Sequence, residues 1–339
     1  EWKFNVCENM TSIITVKNLK KVYKTHTRKE GLSNAIKSLF NRKYEYKQAL
    51  KGISFEIEEG EIVGFIGPNG AGKSTTIKAL SGFLYPTSGE VVSLGFTPWK
   101  DRVDYVANLG VVLGQKAQLW WDLPAIDTFY LSKDVYGIKE STFKSRLNFM
   151  VKLLDLEKVM HTPVRDMSLG ERMKCKLVAA LLHNPKLVLL DEPSIGLDVI
   201  AKDKFRDFIK LVNKKYKTTF IITTHDMQEI ERLCKKIIII NNGQIVYDGL
   251  LKDIKKKYLS NKFIDVKLET KGEKFKLRYC KVVEQNEYEI KIEVNTTKIK
   301  VKEVINSLLS NYDVADILIS DPPIETIIQQ IFRSKDGKV

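Results

Sequence analysis

With 339 residues, 43% of them hydrophobic and 29% charged, the chain has the size and balance of one large or two smaller globular domains. No apolar run approaches the roughly 18 residues that a membrane-spanning helix needs, which argues against an integral membrane protein. The net charge of +14 fits nucleic acid, an anionic membrane surface or an acidic partner, but no groove-reading motif accompanies it, so no nucleic acid is expected as a partner.

Glu1-Trp2-Lys3-Phe4 has no apolar core segment, so no leader peptide is expected. Cys7, Cys175, Cys234 and Cys280 show neither pairing nor C-x-x-C spacing, as in a reducing compartment. Apolar runs at Ile13–Val16, Ile53–Ile57 and Val91–Leu94 predict strands around a core sheet. Glu61–Ile66 reads as a buried strand. It leads into Gly67-Pro68-Asn69-Gly70-Ala71-Gly72-Lys73-Ser74-Thr75, which matches the phosphate-cradling G-x-x-x-x-G-K-[ST] loop. Thr75–Leu80 then has the apolar spacing of a helix, stopped at Gly82. In that context the glycines let backbone N–H groups turn inward around phosphates at a helix N-terminus, whose dipole favours anions. Lys73 can reach the outer phosphates, and the Ser74 hydroxyl can ligate Mg²⁺.

From Leu123 to Met160 the pattern turns helical, with Phe129, Val135, Phe143, Leu147, Met150, Leu153 and Leu154 on amphipathic faces. Trp120 and Trp121, just before it, either anchor in a partner's socket or pack into the helical region. Met167-Ser168-Leu169-Gly170-Glu171 opens a helix continued by Met173, Leu177 and Leu181. Lys186–Glu192 is an apolar run ending in two carboxylates, as a central strand delivering acids at its carboxyl end should read. Asp191 is placed to hold Mg²⁺ through water, and Glu192 to polarise the water that attacks a γ-phosphate. Phe220–Thr224 is a further strand, delivering His225. His26, His161 and His183 lack metal-ligand spacing and are expected to face solvent or bond locally. Ile237–Ile240 runs into an Asn242-Gly243 hairpin turn. Leu250–Tyr258, with Lys252, Lys255, Lys256 and Lys257, reads as a basic linking helix. Beyond Ser260, strands at Phe263–Leu268, Phe275–Tyr279, Tyr288–Val294 and Val314–Ser320 and helices at Lys300–Leu309 and Pro323–Phe332 suggest a small α+β module without a catalytic constellation.

From Ile13 to Gly249 this order of motifs resembles the nucleotide-binding subunit of ABC transporters. The serine–glycine signature just upstream of the acidic strand makes the match specific. The implied fold is an α/β P-loop NTPase core sheet with a helical subdomain, followed by a small C-terminal α+β domain. The implied activity is ATP hydrolysis with Mg²⁺. Tyr23 looks like the aromatic that stacks on adenine. Gln115, favoured over Gln118 by its distance to Leu119 and Asp122-Leu123, looks like the glutamine that meets Mg²⁺ and the attacking water. Ser168 and Gly170 correspond to the signature that closes on the γ-phosphate from a second subunit. Glu192 corresponds to the general base, His225 to the histidine that holds the γ-phosphate, and Ile195–Asp198 to the loop joining the two sites.

Two departures stand out. The usual Leu-Ser-Gly-Gly-Gln signature has Met167, Leu169 and Glu171 at its first, third and fifth positions. The usual short hairpin is replaced by an insertion over about 24–48. Within it Leu32, Ile36, Leu39 and Phe40 have the spacing of a basic amphipathic helix, suited either to docking on a permease or to capping the ATPase sheet. The expected organisation is an ATPase domain over 10–250, with its helical subdomain at about 116–184, and an accessory or regulatory domain over 251–339. The tail resembles the C-terminal extensions of exporter-type ATPases, whose last helix follows an acidic-proline step like Asp321-Pro322-Pro323. Expected partners are transmembrane permease subunits and a second ATPase subunit, at the cytoplasmic face of the membrane. The alternatives are an importer ATPase with a ligand-binding regulatory tail, or a non-transport ABC ATPase.

Overall fold

Residues 12–26, 44–114, 118–258, 261–271, 275–322 and 324–333 are described by a computed structural model. In chain order these hold β1 (Ser12–His26), β2 (Tyr44–Glu58), β3 (Ile62–Ile66), α1 (Lys73–Leu80), β4 (Ser88–Ser93), α2 (Arg102–Val106), β5 (Leu109–Leu113), α3 (Ala125–Val135) and α4 (Glu140–Leu153). Next come α5 (Leu169–Leu181), β6 (Leu187–Asp191), α6 (Val199–Tyr216), β7 (Thr219–Thr223), α7 (Met227–Leu233), β8 (Lys236–Asn241) and β9 (Gln244–Leu250). The last part holds α8 (Leu251–Tyr258), β10 (Asn261–Leu268), β11 (Cys280–Gln285), β12 (Glu289–Asn295), α9 (Val301–Asn311), β13 (Val314–Ser320) and α10 (Ile324–Arg333). The chain divides into two compact units, Glu1–Asp248 and Gly249–Val339.

In the first unit a six-stranded sheet has the order β5-β6-β7-β3-β8-β9, with its first five strands parallel. Parallel strands are covered on both faces, so their sequences are continuously apolar. Leu187–Leu190 and Phe220–Ile222 are accordingly fully buried. A second, antiparallel sheet of order β2-β1-β4 packs over it. Ile14, Val16, Phe55 and Ile57 on one side meet Phe65, Leu189, Ile238 and the α1 residues Ile77 and Leu80 on the other. That sandwich fixes the carboxyl ends of β3, β6 and β7 along one edge, where a parallel sheet offers its binding crevice. In the helical region Phe129, Phe143, Leu147, Met150, Met173 and Leu177 are buried from α3, α4 and α5.

β1 and β2 are far longer than the predicted Ile13–Val16 and Ile53–Ile57. Their ladder runs past Tyr23 to the pair His26↔Tyr44, so residues 24–26 and 44–48 of the expected insertion continue the sheet. The expected amphipathic helix with Leu32, Ile36, Leu39 and Phe40 lies outside the described residues.

In the second unit an antiparallel sheet of order β11-β12-β10-β13 buries Ile264, Val266, Ile290, Ile292 and Val294 against Val304 and Leu308 of α9. The expected strand at Phe275–Tyr279 is not formed. Tyr279 takes a left-handed φ of 67°, which interrupts extended backbone, and pairing with β12 begins only at Cys280. Phe275 is apolar because it fills the core beneath that sheet, not because it alternates along a strand.

Candidate active site

The loop between β3 and α1 is shaped by close packing. A Cβ on Gly67 would sit 2.4 Å from the Ile240 carbonyl oxygen, and one on Gly72 would lie 2.8 Å from Leu50 at a φ of +119°. Only glycine meets both demands. Gly72 caps α1 without a side chain, so the first N–H groups of the helix are left for an incoming acceptor. Lys73 is buried and folds back, donating from Nζ to the carbonyls of Gly67 at 2.6 Å and Pro68 at 3.2 Å. Burial lowers its pKa, while the nearby Glu192 and Asp191 carboxylates act the other way. Tyr23, Lys47, Ala49, Pro68, Asn69, Gly70, Gly72, Lys73, Ser74, Thr75 and Glu192 line one cleft of about 260 Å³. Tyr23, which comes from the remote strand β1, therefore shares a cleft with the phosphate loop; Gly67 and Ala71 form the loop's inner side.

The acidic edge is set by strand register. Asp191 ends β6 opposite Thr223 of β7, and the Thr223 hydroxyl donates to Asp191 Oδ1 at 2.5 Å. The Ser74 hydroxyl lies 3.4 Å from the same oxygen. Ser74 Oγ and the Asp191 carboxylate form an oxygen-only donor set, which suits a hard cation such as Mg²⁺. Glu192, one residue on, has a φ of +53°, a conformation that costs a non-glycine residue on the order of 1 kcal/mol or more. Its N–H donates to the Thr223 carbonyl at 2.9 Å, and that bond holds the turn. The turn swings the Glu192 carboxylate away from the strand direction and towards His225, whose Nδ1 is 3.4 Å from Oε2. The His225 side chain is 73% exposed and that of Glu192 26%. Thr223 was missed in the sequence because its importance depends on β6 and β7 being neighbours, which no local pattern announces.

Ser168 and Gly170 are not among the residues lining this cleft. They open α5, where Ser168 Oγ accepts from the Glu171 N–H at 3.2 Å and the Glu171 carboxylate accepts from the Ser168 N–H at 2.8 Å. This is a capping box, and S-x-x-E was legible in the sequence. The Ser168 side chain and backbone both favour the charged Glu171 carboxylate, holding its carboxyl below the ordinary value. Leu169, where the usual signature has glycine, packs against Gly196, whose Cβ would meet it at 2.6 Å. Gln115 lies outside the described residues. Gln118 has its amide on the β5 backbone, donating to Val111 O at 2.9 Å and accepting from Leu113 N at 3.2 Å.

Trp120 and Trp121 are each 52% exposed, and Arg172 lies over the Trp121 ring. Trp121 thus touches α5 of the helical region, while about half of each tryptophan stays exposed, as a partner's socket would also need. His161 is exposed, but His183 is neither solvent-facing nor locally bonded. It stacks on Tyr136 at 4.0 Å, and its Nε2 meets the Leu109 carbonyl at 3.1 Å.

A family profile described as ABC transporter matches residues 50–195. The chain is 31% identical over 215 residues to the ABC transporter ATP-binding protein NatA of Bacillus subtilis, spanning 63% of this chain and 87% of that protein. It is 28% identical over 299 residues to the linearmycin resistance ATP-binding protein LnrL of the same bacterium, spanning 87% and 96%. It is also 34% identical over 262 residues to the human cholesterol transporter ABCA5, of which it spans 15%. Among solved structures, an ATP-binding subunit of an ABC transporter superposes with a TM-score of 0.61 at 26% identity, covering 73% of this chain and 93% of that one. A post-hydrolysis dimer of an ATP-binding cassette bound to ADP and Pi gives 0.58 at 25% identity, covering 70% and 98%.

Proposed function

The chain belongs to the ATP-binding subunits of ABC transporters and is an ATPase of that family, and from this premise we propose that it powers an exporter whose permeases are separate chains. The observation that carries the site assignment is the convergence of Lys73, Ser74, Asp191, Glu192 and His225 at the carboxyl edge of β3, β6 and β7.

ATP would lie with its adenine on Tyr23 and its phosphates over the loop amides of 67–75, Lys73 turning from its carbonyl partners to the outer phosphates. Ser74 and Asp191, with Gln115, would hold Mg²⁺, which when bound neutralises phosphate charge. Glu192 would orient the attacking water and accept its proton, and His225 would hold the γ-phosphate beside it. Little covalent chemistry is asked of the protein, so the work is positioning and charge stabilisation.

Ser168 and Gly170 open α5 outside the cleft, so they would complete the site of a second ATPase subunit, bound head to tail. The related cassette bound to ADP and Pi is itself a dimer, which supports this arrangement. Among the described residues no helix is long and apolar enough to cross a membrane. Phe83, Tyr85, Trp120 and Trp121, each at least half exposed, supply a surface suited to a permease at the cytoplasmic face of a membrane. Export is favoured by the likeness to LnrL, a protein named for resistance. Its 299-residue alignment is longer than the first unit and must reach into the second.

Affinity purification of the full chain from solubilised membranes tests this reading. A co-purifying permease pair that supports ATP-driven efflux is expected. A permease that works only with an external solute-binding protein would mark an importer instead.

A further inference from the structure

Glu229 of α7 is buried to 1% exposure, the least exposed carboxylate among the described residues, and it has no place in the chemistry described above. Its Oε2 accepts from the Ser194 hydroxyl at 2.7 Å, while its Oε1 is buried without a hydrogen-bond partner among the described residues; the Thr224 side chain faces the same carboxylate and favours its charged form. Ser194 follows Glu192 by two residues, on the loop that leaves β6. Thr224 directly precedes His225, on the loop that leaves β7. The two loops that carry the water-activating carboxylate and the γ-phosphate histidine therefore meet on one buried carboxylate. The histidine side is fixed further: Thr224 Oγ1 accepts from the Asp226 N–H at 3.0 Å, and Asp226 Oδ1 accepts from the Glu229 N–H at 3.2 Å. Lys202 on α6 pairs with Asp226 at 2.7 Å, which ties the far end of the Glu192 loop to the same turn.

A buried carboxylate is costly to desolvate and persists where its bonds hold something in place. Here the thing held is a contact at the edge of hydrogen-bond reach, since His225 Nδ1 and Glu192 Oε2 are 3.4 Å apart. A misplacement of about 1 Å can cost on the order of a hundredfold in rate where catalysis is mainly positioning. Neither Ser194 nor Glu229 lines the nucleotide cleft, so a disturbance there leaves ATP binding alone. We propose that Glu229, through Ser194 and Thr224, is a positioning residue that sets Glu192 against His225 for ATP hydrolysis. The inference rests on the roles assigned above to Glu192 and His225.

Burial pushes the Glu229 carboxyl above its ordinary value, so a neutral amide that keeps one acceptor oxygen suits the site. The test is a kinetic cycle on the full-length chain with MgATP, using Ser194→Ala, Glu229→Ala, their double variant, Glu229→Gln and Ser194→Thr, with Glu192→Gln in parallel. The expected result is a fall in kcat of about tenfold for each alanine variant, with KM within about threefold of the parent. The double variant should be no slower than Glu229→Ala, and Glu229→Gln and Ser194→Thr should recover most of the rate. The inference is overturned if folded Ser194→Ala and Glu229→Ala turn over within twofold of the parent. It is equally overturned if their losses add and fall on kcat and KM alike. Should Glu229→Ala fail to fold, Ser194→Ala and Ser194→Thr, which change one loop side chain, still decide it. If Glu192→Gln keeps parental turnover the underlying assignment fails; if only that variant is slow, this inference alone fails.

Discussion

Lys73, Thr223 and His183 each make a separable claim. Lys73 now spends its donors on the Gly67 and Pro68 carbonyls, and no other ammonium among the described residues bonds to that loop. Lys73→Ala should therefore weaken ATP binding at least tenfold, roughly 1.4 kcal/mol, in a fluorescent-nucleotide titration; unchanged affinity would remove its phosphate role. Thr223→Val keeps the shape of β7 but takes away the donor to Asp191. Hydrogen bonds to charged groups contribute about 1.5–3 kcal/mol to stability, so the melting temperature should fall by a few degrees, and hydrolysis should slow on the order of tenfold because Asp191 loses the group that orients it. His183 is a stability claim. Burial drops its pKa from 6.5 to about 4, outweighing the Leu109 carbonyl bond that favours the charged form. Above pH 6.5 both folded and unfolded chains hold it neutral, and its contribution is fully present. As pH falls from there towards 4, the unfolded chain takes up a proton that the folded one refuses, and stability is lost. The bound is about 3 kcal/mol. Urea midpoints at pH 7 and pH 4.5 should drop less in His183→Gln than in the parent. Equal drops would show that the ring does not carry the effect.

At the scale of elements, the start of α5 separates capping from chemistry. Glu171 serves the helix end alone, whereas Ser168 serves the helix end and is assigned to the partner's phosphate. Glu171→Ala should cost about 0.5–1 kcal/mol of stability and leave turnover within about twofold, while Ser168→Ala should lose a similar stability and most of the hydrolysis. Thermal melts beside ATPase assays would show it, and equal turnover in the two variants would break the distinction. The elements that were legible are those whose pattern is local. The run Glu61–Ile66, the glycine loop and the apolar face of α1 name each other, and Lys186–Glu192 reads as a strand with acids at its end because both its faces are buried. What escaped was set by partners distant in sequence. Past Tyr23 the β1–β2 ladder runs on through Lys24-Thr25-His26, which has no apolar alternation, against Tyr44-Glu45-Tyr46, whose two tyrosines are exposed. Tyr279 breaks a run that alternates convincingly. The pairing of Thr223 with Asp191 and the seat of Glu229 follow from the order β6-β7-β3, which becomes visible only when the sheet is assembled.

For the whole molecule, the division after Asp248 places all the site residues named here in the first unit, and the second unit has a core of its own. A chain ending at Tyr258 should therefore bind ATP as the full chain does, with any change confined to dimer contacts or regulation. Failure to bind would make the tail part of the ATPase fold. The central claim is that two such chains close head to tail on ATP and that Glu192 acts on the water between them. Its most direct test is the full-length Glu192→Gln chain, followed for MgATP turnover and for molecular mass by light scattering. The account predicts turnover at least about a hundredfold below the parent, within the range that a positioned general base contributes, with ATP affinity within about threefold. The mass should double on adding ATP. Turnover within threefold of the parent, or a mass indifferent to ATP, would contradict it.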